Sequence, residues 1–176
     1  MRIGIDIDDT ITNTTTKLNE YFEKFGFDKK NDDFCNYSAE QLETYRELLE
    51  KYIDLVLDEC IVKERCINVI NELKSKGNEI YIITARSNRY SKNVYEITVN
   101  YLRRNNIKFD KIFFGFENKK DICLSNKIDY MIDDNINVYS SLVETSTKPI
   151  LFGQDLNKKF DCERVNNWEE ILEIIN

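Results

Sequence analysis

Met1-Arg2-Ile3-Gly4-Ile5-Asp6-Ile7-Asp8-Asp9-Thr10-Ile11-Thr12 opens the chain, and the reading of every later segment turns on it. Ile3, Ile5 and Ile7 alternate as in a buried strand, after which the apolar run gives way to three carboxylates and two hydroxyls. Like charges gathered at a strand end are destabilising unless a cation or a ligand compensates them. The alternation puts the Asp6 and Asp8 side chains on one face of an extended chain. That is the geometry of two oxygen ligands, or of a nucleophile beside an acid/base.

Beyond this strand, Leu18, Tyr21, Phe22 and Phe25 recur at i, i+3, i+4 and i+7, one face of a helix that Gly26 can stop. Residues 27–37 read as a polar connection. A longer helix over 39–58 carries Leu42, Tyr45, Leu49, Tyr52, Ile53 and Val56 on one stripe. Two helices before any second strand cannot both be the crossover of one compact βαβ unit. Residues 13–60 are therefore expected to be an inserted helical cap, with 1–12 and 61–176 forming the main domain.

From residue 63 strands and helices alternate. A helix over 63–76 is marked by Cys66, Val69, Ile70 and Leu73 and stops at Gly77, and Glu79–Thr84 is the next strand. There follow a helix at 90–105, a strand at 111–115, a short helix at 118–126, and a strand at Ile128–Ile132 running into Asp133-Asp134-Asn135. A helix near 136–143, a strand at Pro149–Phe152 and a helix from Trp168 to Ile175 complete the pattern; Pro149 suits an edge strand. Alternating apolar strands and helices predict an α/β fold with a parallel sheet covered on both faces. Ligands of such sheets bind beyond the carboxyl ends of the strands. Three of those ends carry polar groups suited to phosphate chemistry: Asp6/Asp8/Asp9/Thr10, Thr84/Ala85/Arg86 and Asp133/Asp134.

The 176 residues suffice for one domain with a subsidiary insertion, and 41% hydrophobic with 32% charged residues is ordinary globular composition. A net charge of −7 argues against general nucleic-acid binding, so a small anionic substrate would need local positive charge or a metal. No apolar run is long enough for a membrane span, and the N-terminus lacks the features of a signal peptide, so a cytoplasmic protein is expected. The five cysteines (Cys35, Cys60, Cys66, Cys123, Cys162) form no close pairs and are expected to be buried reduced thiols. Histidine is absent, which removes Ser-His-Asp and Cys-His catalysis and leaves carboxylates as the acid/base groups. A metal would be hard and oxygen-bound, with Mg²⁺ first in line. A calcium loop would need Gly at its sixth position and an acid at its twelfth, where Ile11 and Lys17 stand.

An Asp-x-Asp-x-Thr strand end (Asp6 to Thr10), a strand ending in Thr84, a lysine at Lys119 or Lys120, and Asp133-Asp134, in this order, resemble the haloacid dehalogenase-like (HAD-like) phosphohydrolase superfamily. The resemblance implies a Rossmann-like three-layer fold. It also implies that Asp6 attacks phosphorus to give an aspartyl-phosphate, with Asp8 as acid and then base. Mg²⁺ would be held by the Asp6 carboxylate, the Asp8 carbonyl and Asp134, with Asp133 in support. Thr84 would bind the phosphoryl group, and a lysine would neutralise its charge. In relatives that lysine lies 14 residues before the first Asp of the pair, which selects Lys119, with Lys120 as the alternative. Many members carry Gly at the position of Asp9, whose amide would still donate to phosphate; Thr10 would order the turn beside it.

Thr84-Ala85-Arg86, the Ile-Asp-Asp ending and the helical insertion most resemble the 5′-nucleotidase and 5′(3′)-deoxyribonucleotidase-like branch. This implies a nucleoside monophosphate as substrate, with Ala85 near its phosphate; Arg86 could contact the phosphate or a sugar hydroxyl, or equally pair with a surface acid. Tyr21, Phe22, Phe25, Phe27, Phe34, Tyr37, Tyr45 and Tyr52 in the insertion could stack a base or pack on one another. Another small phosphorylated metabolite such as a sugar phosphate, and a non-catalytic binding domain, remain as alternatives. Oligomeric state leaves no mark in the sequence.

Overall fold

The computed structural model describes residues 1–27, 37–89, 91–153, 162 and 164–175. Gly4 is the key to its centre. It sits in β1 (Arg2–Ile5), where a Cβ would come within 2.6 Å of Met131 Sδ. Only glycine lets the neighbouring strands and the layer behind them close this tightly.

On one side β1 pairs in parallel with β2 (Glu79–Ile83), and on the other with β4 (Tyr130–Asp133). β3 (Lys111–Phe113), β5 (Lys148–Phe152) and β6 (Arg164–Val165) extend an all-parallel sheet in the order β3-β2-β1-β4-β5-β6. Ile3, Ile5, Ile80, Ile82, Ile132 and Ile150 face α3 (Cys66–Ser75), α4 (Val94–Arg104) and α7 (Trp168–Ile174). Tyr81, Ile83 and Met131 face α5 (Lys120–Ser125) and α6 (Ile136–Leu142). Both faces are thus covered, which is why these strands read as continuous apolar runs. The three-layer α/β fold is the one expected, and the order reverses direction at β1, so a crevice opens between β1 and β4 at their carboxyl ends.

Several boundaries differ from expectation. β1 ends at Ile5, because the Ile7 carbonyl is drawn into a turn, although the Ile7 side chain stays buried. β4 starts at Tyr130 rather than Ile128, and α3 starts at Cys66 rather than residue 63. Pro149 does not mark an edge strand, since β6 lies outside β5. β6 reaches only Leu151 and Phe152, so Pro149 lies beyond its end and removes no donor from that pairing. Among the described cysteines Cys60, Cys66 and Cys123 are buried free thiols, whereas Cys162 is only half-buried; Cys35 and Phe34 lie outside the described residues.

Between β1 and α3 stand α1 (Thr14–Lys24) and α2 (Ala39–Glu59). Ser38 and Gln41 close a reciprocal capping box at the start of α2, and Gly26, at φ 75°, turns the chain at the end of α1. The two passages into this insertion run side by side. Thr12 bridges Val62 antiparallel, Asn13 N–H donates to Ile61 O at 3.0 Å, and Lys63 N–H donates to Ile11 O at 2.8 Å. Further on, Tyr101 OH donates to Cys60 O at 2.6 Å and Arg104 pairs with Asp58 at 2.8 Å, tying α2 to α4. The described aromatic side chains of the insertion pack on one another: Phe22 against Phe27 and Tyr45, Tyr37 against Phe27, and Tyr52 against Tyr21 and stacked on Phe25. Among the described residues no helix is long and apolar enough to cross a membrane.

Candidate active site

At the end of β1 the Asp6 N–H still donates to Ile132 O at 3.0 Å, and then the ladder stops. The Ile7 carbonyl accepts from the amides of Thr10, Ile11 and Thr12 and from Thr12 Oγ. So tight a turn forces one left-handed residue, and Asp9 takes it at φ 58°, a conformation that Gly adopts freely and Asp tolerates. The Asp9 carboxylate then accepts from Thr15 N–H at 3.0 Å and from Thr15 Oγ. It thereby caps α1, whose own N-cap Asn13 makes no side-chain bond there. Thr10 is fully buried; its Oγ donates to Asp134 at 3.3 Å, and its carbonyl accepts from the Trp168 indole N–H at 3.1 Å.

Asp6 is buried against Lys119, which also donates to Asp133 Oδ2 at 2.6 Å from the N-cap position of α5. Lys120, one residue on, is exposed and donates its amide to Asn118. The second Asp133 oxygen accepts from Asn135 N–H at 2.9 Å, so both its oxygens are engaged. Carboxylate oxygens of Asp6, Asp133 and Asp134 lie within 4.8 Å of one another. Burial pushes the Asp6 carboxyl well up; Lys119 opposes this, and Asp133, Asp8 and Asp134 reinforce it. Burial and the neighbouring Asp133 and Asp9 charges push Asp134 up to about 7. Burial lowers the proton affinity of Lys119, but Asp6 and Asp133 more than reverse this, and it remains an ammonium.

Asp8 has different partners. Arg86 donates Nη2–H to its Oδ1 at 2.7 Å and Nε–H to its Oδ2 at 3.0 Å, and Thr14 Oγ donates to Oδ1 at 2.7 Å. Burial alone would raise the Asp8 carboxyl, yet the Arg86 charge and these hydrogen bonds outweigh it and hold the group below the usual range. Thr84, at the end of β2, is fully buried, with its backbone tied to Phe113 O and Phe116 N–H. Its Oγ accepts from Arg86 N–H at 3.2 Å, while Ala85 is exposed.

The residues expected at the site thus fall into two groups. Asp6, Lys119, Asp133 and Asp134 form one cluster at the β1/β4 crevice; Asp8 and Arg86 form a second, tied to α1 through Thr14. Asp9 bonds to Thr15 of α1, Thr10 donates to Asp134 of the first cluster while its carbonyl accepts from Trp168, and Arg86 bonds to Asp8. Thr14 and Thr98, whose Oγ accepts from Arg86 Nη1–H at 3.1 Å, were not foreseen. The hydroxyl run Thr14-Thr15-Thr16 directly after the acidic turn was an available sign of the first; nothing in the α4 sequence points to the second.

Chemically, three clustered carboxylates without histidine or thiolate form a hard-oxygen set suited to a cation that prefers oxygen ligands. A family model described as "5' nucleotidase, deoxy (Pyrimidine), cytosolic type C protein" matches residues 1–176. A "Putative nucleotidase" of Oceanobacillus iheyensis is 26% identical over 188 residues, covering 98% of each chain. One of Bacillus subtilis is 25% identical over 186 residues, covering 100% of this chain and 94% of that one. Among solved structures, the "putative HAD-hydrolase YfnB" of Bacillus subtilis, bound to magnesium, superposes with a TM-score of 0.65 at 16% identity, over 99% of this chain and 98% of that one. A HAD family hydrolase from Deinococcus radiodurans with bound phosphate and sodium gives 0.68 at 8% identity, over 99% and 94%. At these identities the solved structures speak to the fold alone.

Proposed function

The chain belongs to the 5′ nucleotidase, deoxy (pyrimidine), cytosolic type C family, and we propose that it hydrolyses nucleoside monophosphates through an aspartyl-phosphate on Asp6. It is a phosphatase of HAD-like fold. One observation carries the mechanism: Asp6 stands at the sheet's crevice with Lys119 against it and carboxylate oxygens of Asp6, Asp133 and Asp134 within 4.8 Å of one another. In this reading the Asp6 carboxylate attacks phosphorus, forming the Asp6–phosphorus bond as the ester P–O bond breaks. Asp8 gives its proton to the leaving oxygen. It then takes a proton from the water that attacks the phosphoenzyme, releasing phosphate and regenerating Asp6. Arg86 keeps Asp8 ionised in the resting chain; the arriving phosphate dianion raises its proton affinity, so that Asp8 takes up a proton from solvent before it donates to the leaving oxygen. Lys119 neutralises charge on Asp6 and the phosphoryl oxygens, and Thr84 holds one of those oxygens. Asp6, Asp134 and the Asp8 carbonyl would hold Mg²⁺, with Asp133, whose oxygens are engaged by Lys119 and Asn135, orienting the group. Bound there, Mg²⁺ supplies positive charge that polarises the phosphoryl group.

We also assign residues 13–60 as a cap over the carboxyl ends of the strands. Its entry and exit segments, bridged at Thr12 and Val62, and its contacts with Asp8 and Asp9 through Thr14 and Thr15 support this. The test is a phosphate-release screen with Mg²⁺ over nucleoside monophosphates, sugar phosphates and p-nitrophenyl phosphate. Turnover is expected, highest for a nucleotide. If sugar phosphates exceed every nucleotide, the substrate assignment falls.

A further inference from the structure

Arg86 is an unusual residue to find so deeply placed: its side chain is only 3% exposed, against 33% for its partner Asp8. Its backbone is fixed on both sides, the N–H by Thr84 Oγ and the carbonyl by Gly115 N–H at 2.9 Å. Its guanidinium is fixed as well. Nη1–H reaches Thr98 Oγ on α4, and Nε–H and Nη2–H form a fork on the two Asp8 oxygens. A planar fork on a carboxylate sets that carboxylate's orientation as well as its position, which a lysine point charge does not. Thr14 Oγ, from the opposite side, completes the clamp on Asp8 Oδ1.

We propose that Arg86 is a positioning residue for the acid/base Asp8: anchored on Thr98, it holds the Asp8 carboxyl aimed at the leaving-group oxygen and does not itself bind the phosphate. This rests on the phosphomonoesterase reading above. General acid catalysis matters most when the leaving group is basic, so misaiming Asp8 penalises an alkyl phosphate, such as a nucleoside monophosphate, far more than p-nitrophenyl phosphate. The phenolate of the latter departs with little help from a proton. kcat/KM is the appropriate readout, because it reports the steps up to departure of the leaving group and is insensitive to the later hydrolysis of the phosphoenzyme.

The experiment compares wild type, Arg86→Met, Arg86→Lys and Thr98→Val on both substrates, with inorganic phosphate as a competitive inhibitor. For Arg86→Met, kcat/KM on the nucleotide is expected to fall about 100-fold, the scale of a misplaced catalytic group. On p-nitrophenyl phosphate it should fall several-fold, with phosphate inhibition close to that of wild type. Arg86→Lys should restore only part of the loss, and Thr98→Val should show the same substrate bias at smaller amplitude. Should Arg86→Met not fold, the bias in Thr98→Val decides. Equal losses on both substrates together with weakened phosphate inhibition would overturn the proposal and make Arg86 a phosphate ligand; unchanged kinetics in every variant would overturn it too. A wild type that hydrolyses neither substrate would instead overturn the phosphomonoesterase reading, and this proposal with it.

Discussion

The two ends of the sheet use the same residue type in opposite ways. At the amino ends, Asp110 accepts from Ile80 N–H at 2.6 Å and pairs with Lys74 at 2.7 Å, and Asp129 accepts from Arg2 N–H at 2.7 Å. Each of these carboxylates is separately partnered. Burial pushes the Asp110 carboxyl up, but the Lys74 hydrogen bond, the Ile80 N–H and the Lys74 charge outweigh it and hold it below the usual value. At the carboxyl ends, Asp6, Asp133 and Asp134 crowd within 4.8 Å, with one lysine bridging the first two, and Asp6 and Asp134 are pushed up. Carboxylates that serve the fold are spread out and saturated. Those at the crevice are gathered at the expense of the fold, an arrangement that makes physical sense when a cation and a phosphate complete it.

The contrast can be broken most severely at Asp6. Asp6→Asn should lower kcat on p-nitrophenyl phosphate by about 10⁴-fold or more, the scale for loss of a nucleophile, with an unchanged circular dichroism spectrum. Lys119→Met comes next. It leaves Asp6 and Asp133 buried without their ammonium, so urea unfolding in EDTA should show a loss of about 3–5 kcal/mol, and Mg²⁺ should restore part of it. In the wild type, Mg²⁺ at a hundred times its Kd should add about 2.7 kcal/mol, read as a rise in Tm that Asp134→Asn diminishes. The smallest effect belongs to the other end. Asp110→Asn should cost about 0.5–1.5 kcal/mol at neutral pH, with kcat unchanged. Because the folded Asp110 carboxyl lies below its unfolded value of about 4, its contribution is complete above that pH. It is lost as pH falls through the folded value, so wild type and Asp110→Asn should converge in strong acid.

Much of this was legible from residues because strand ends announce themselves. Alternating isoleucines followed by Asp6 and Asp8, Ile80 to Ile83 followed by Thr84, and Met131-Ile132 followed by Asp133 each mark the point where an apolar ladder meets polar groups. β6 was not legible: Arg164 and Val165 are too few for any period, and their pairing with Leu151 and Phe152 depends on tertiary contact. The role of the Asp9 side chain was half legible. Its place just after the strand could be read, but the left-handed backbone and the carboxylate's reach to Thr15 depend on how the turn closes and where α1 begins. The Arg86–Asp8 fork joins residues 78 apart through a third on α4, and no local pattern encodes it.

Covalent phosphorylation of Asp6 can be tested at that atom. Protein mixed with Mg²⁺ and a nucleoside monophosphate is quenched in acid during turnover, digested and examined by mass spectrometry. A phosphoryl adduct is predicted on the peptide carrying Asp6 and absent in Asp6→Asn. An Asp6→Asn protein that still releases phosphate at the wild-type rate, with no adduct at Asp6 in either protein, would contradict it.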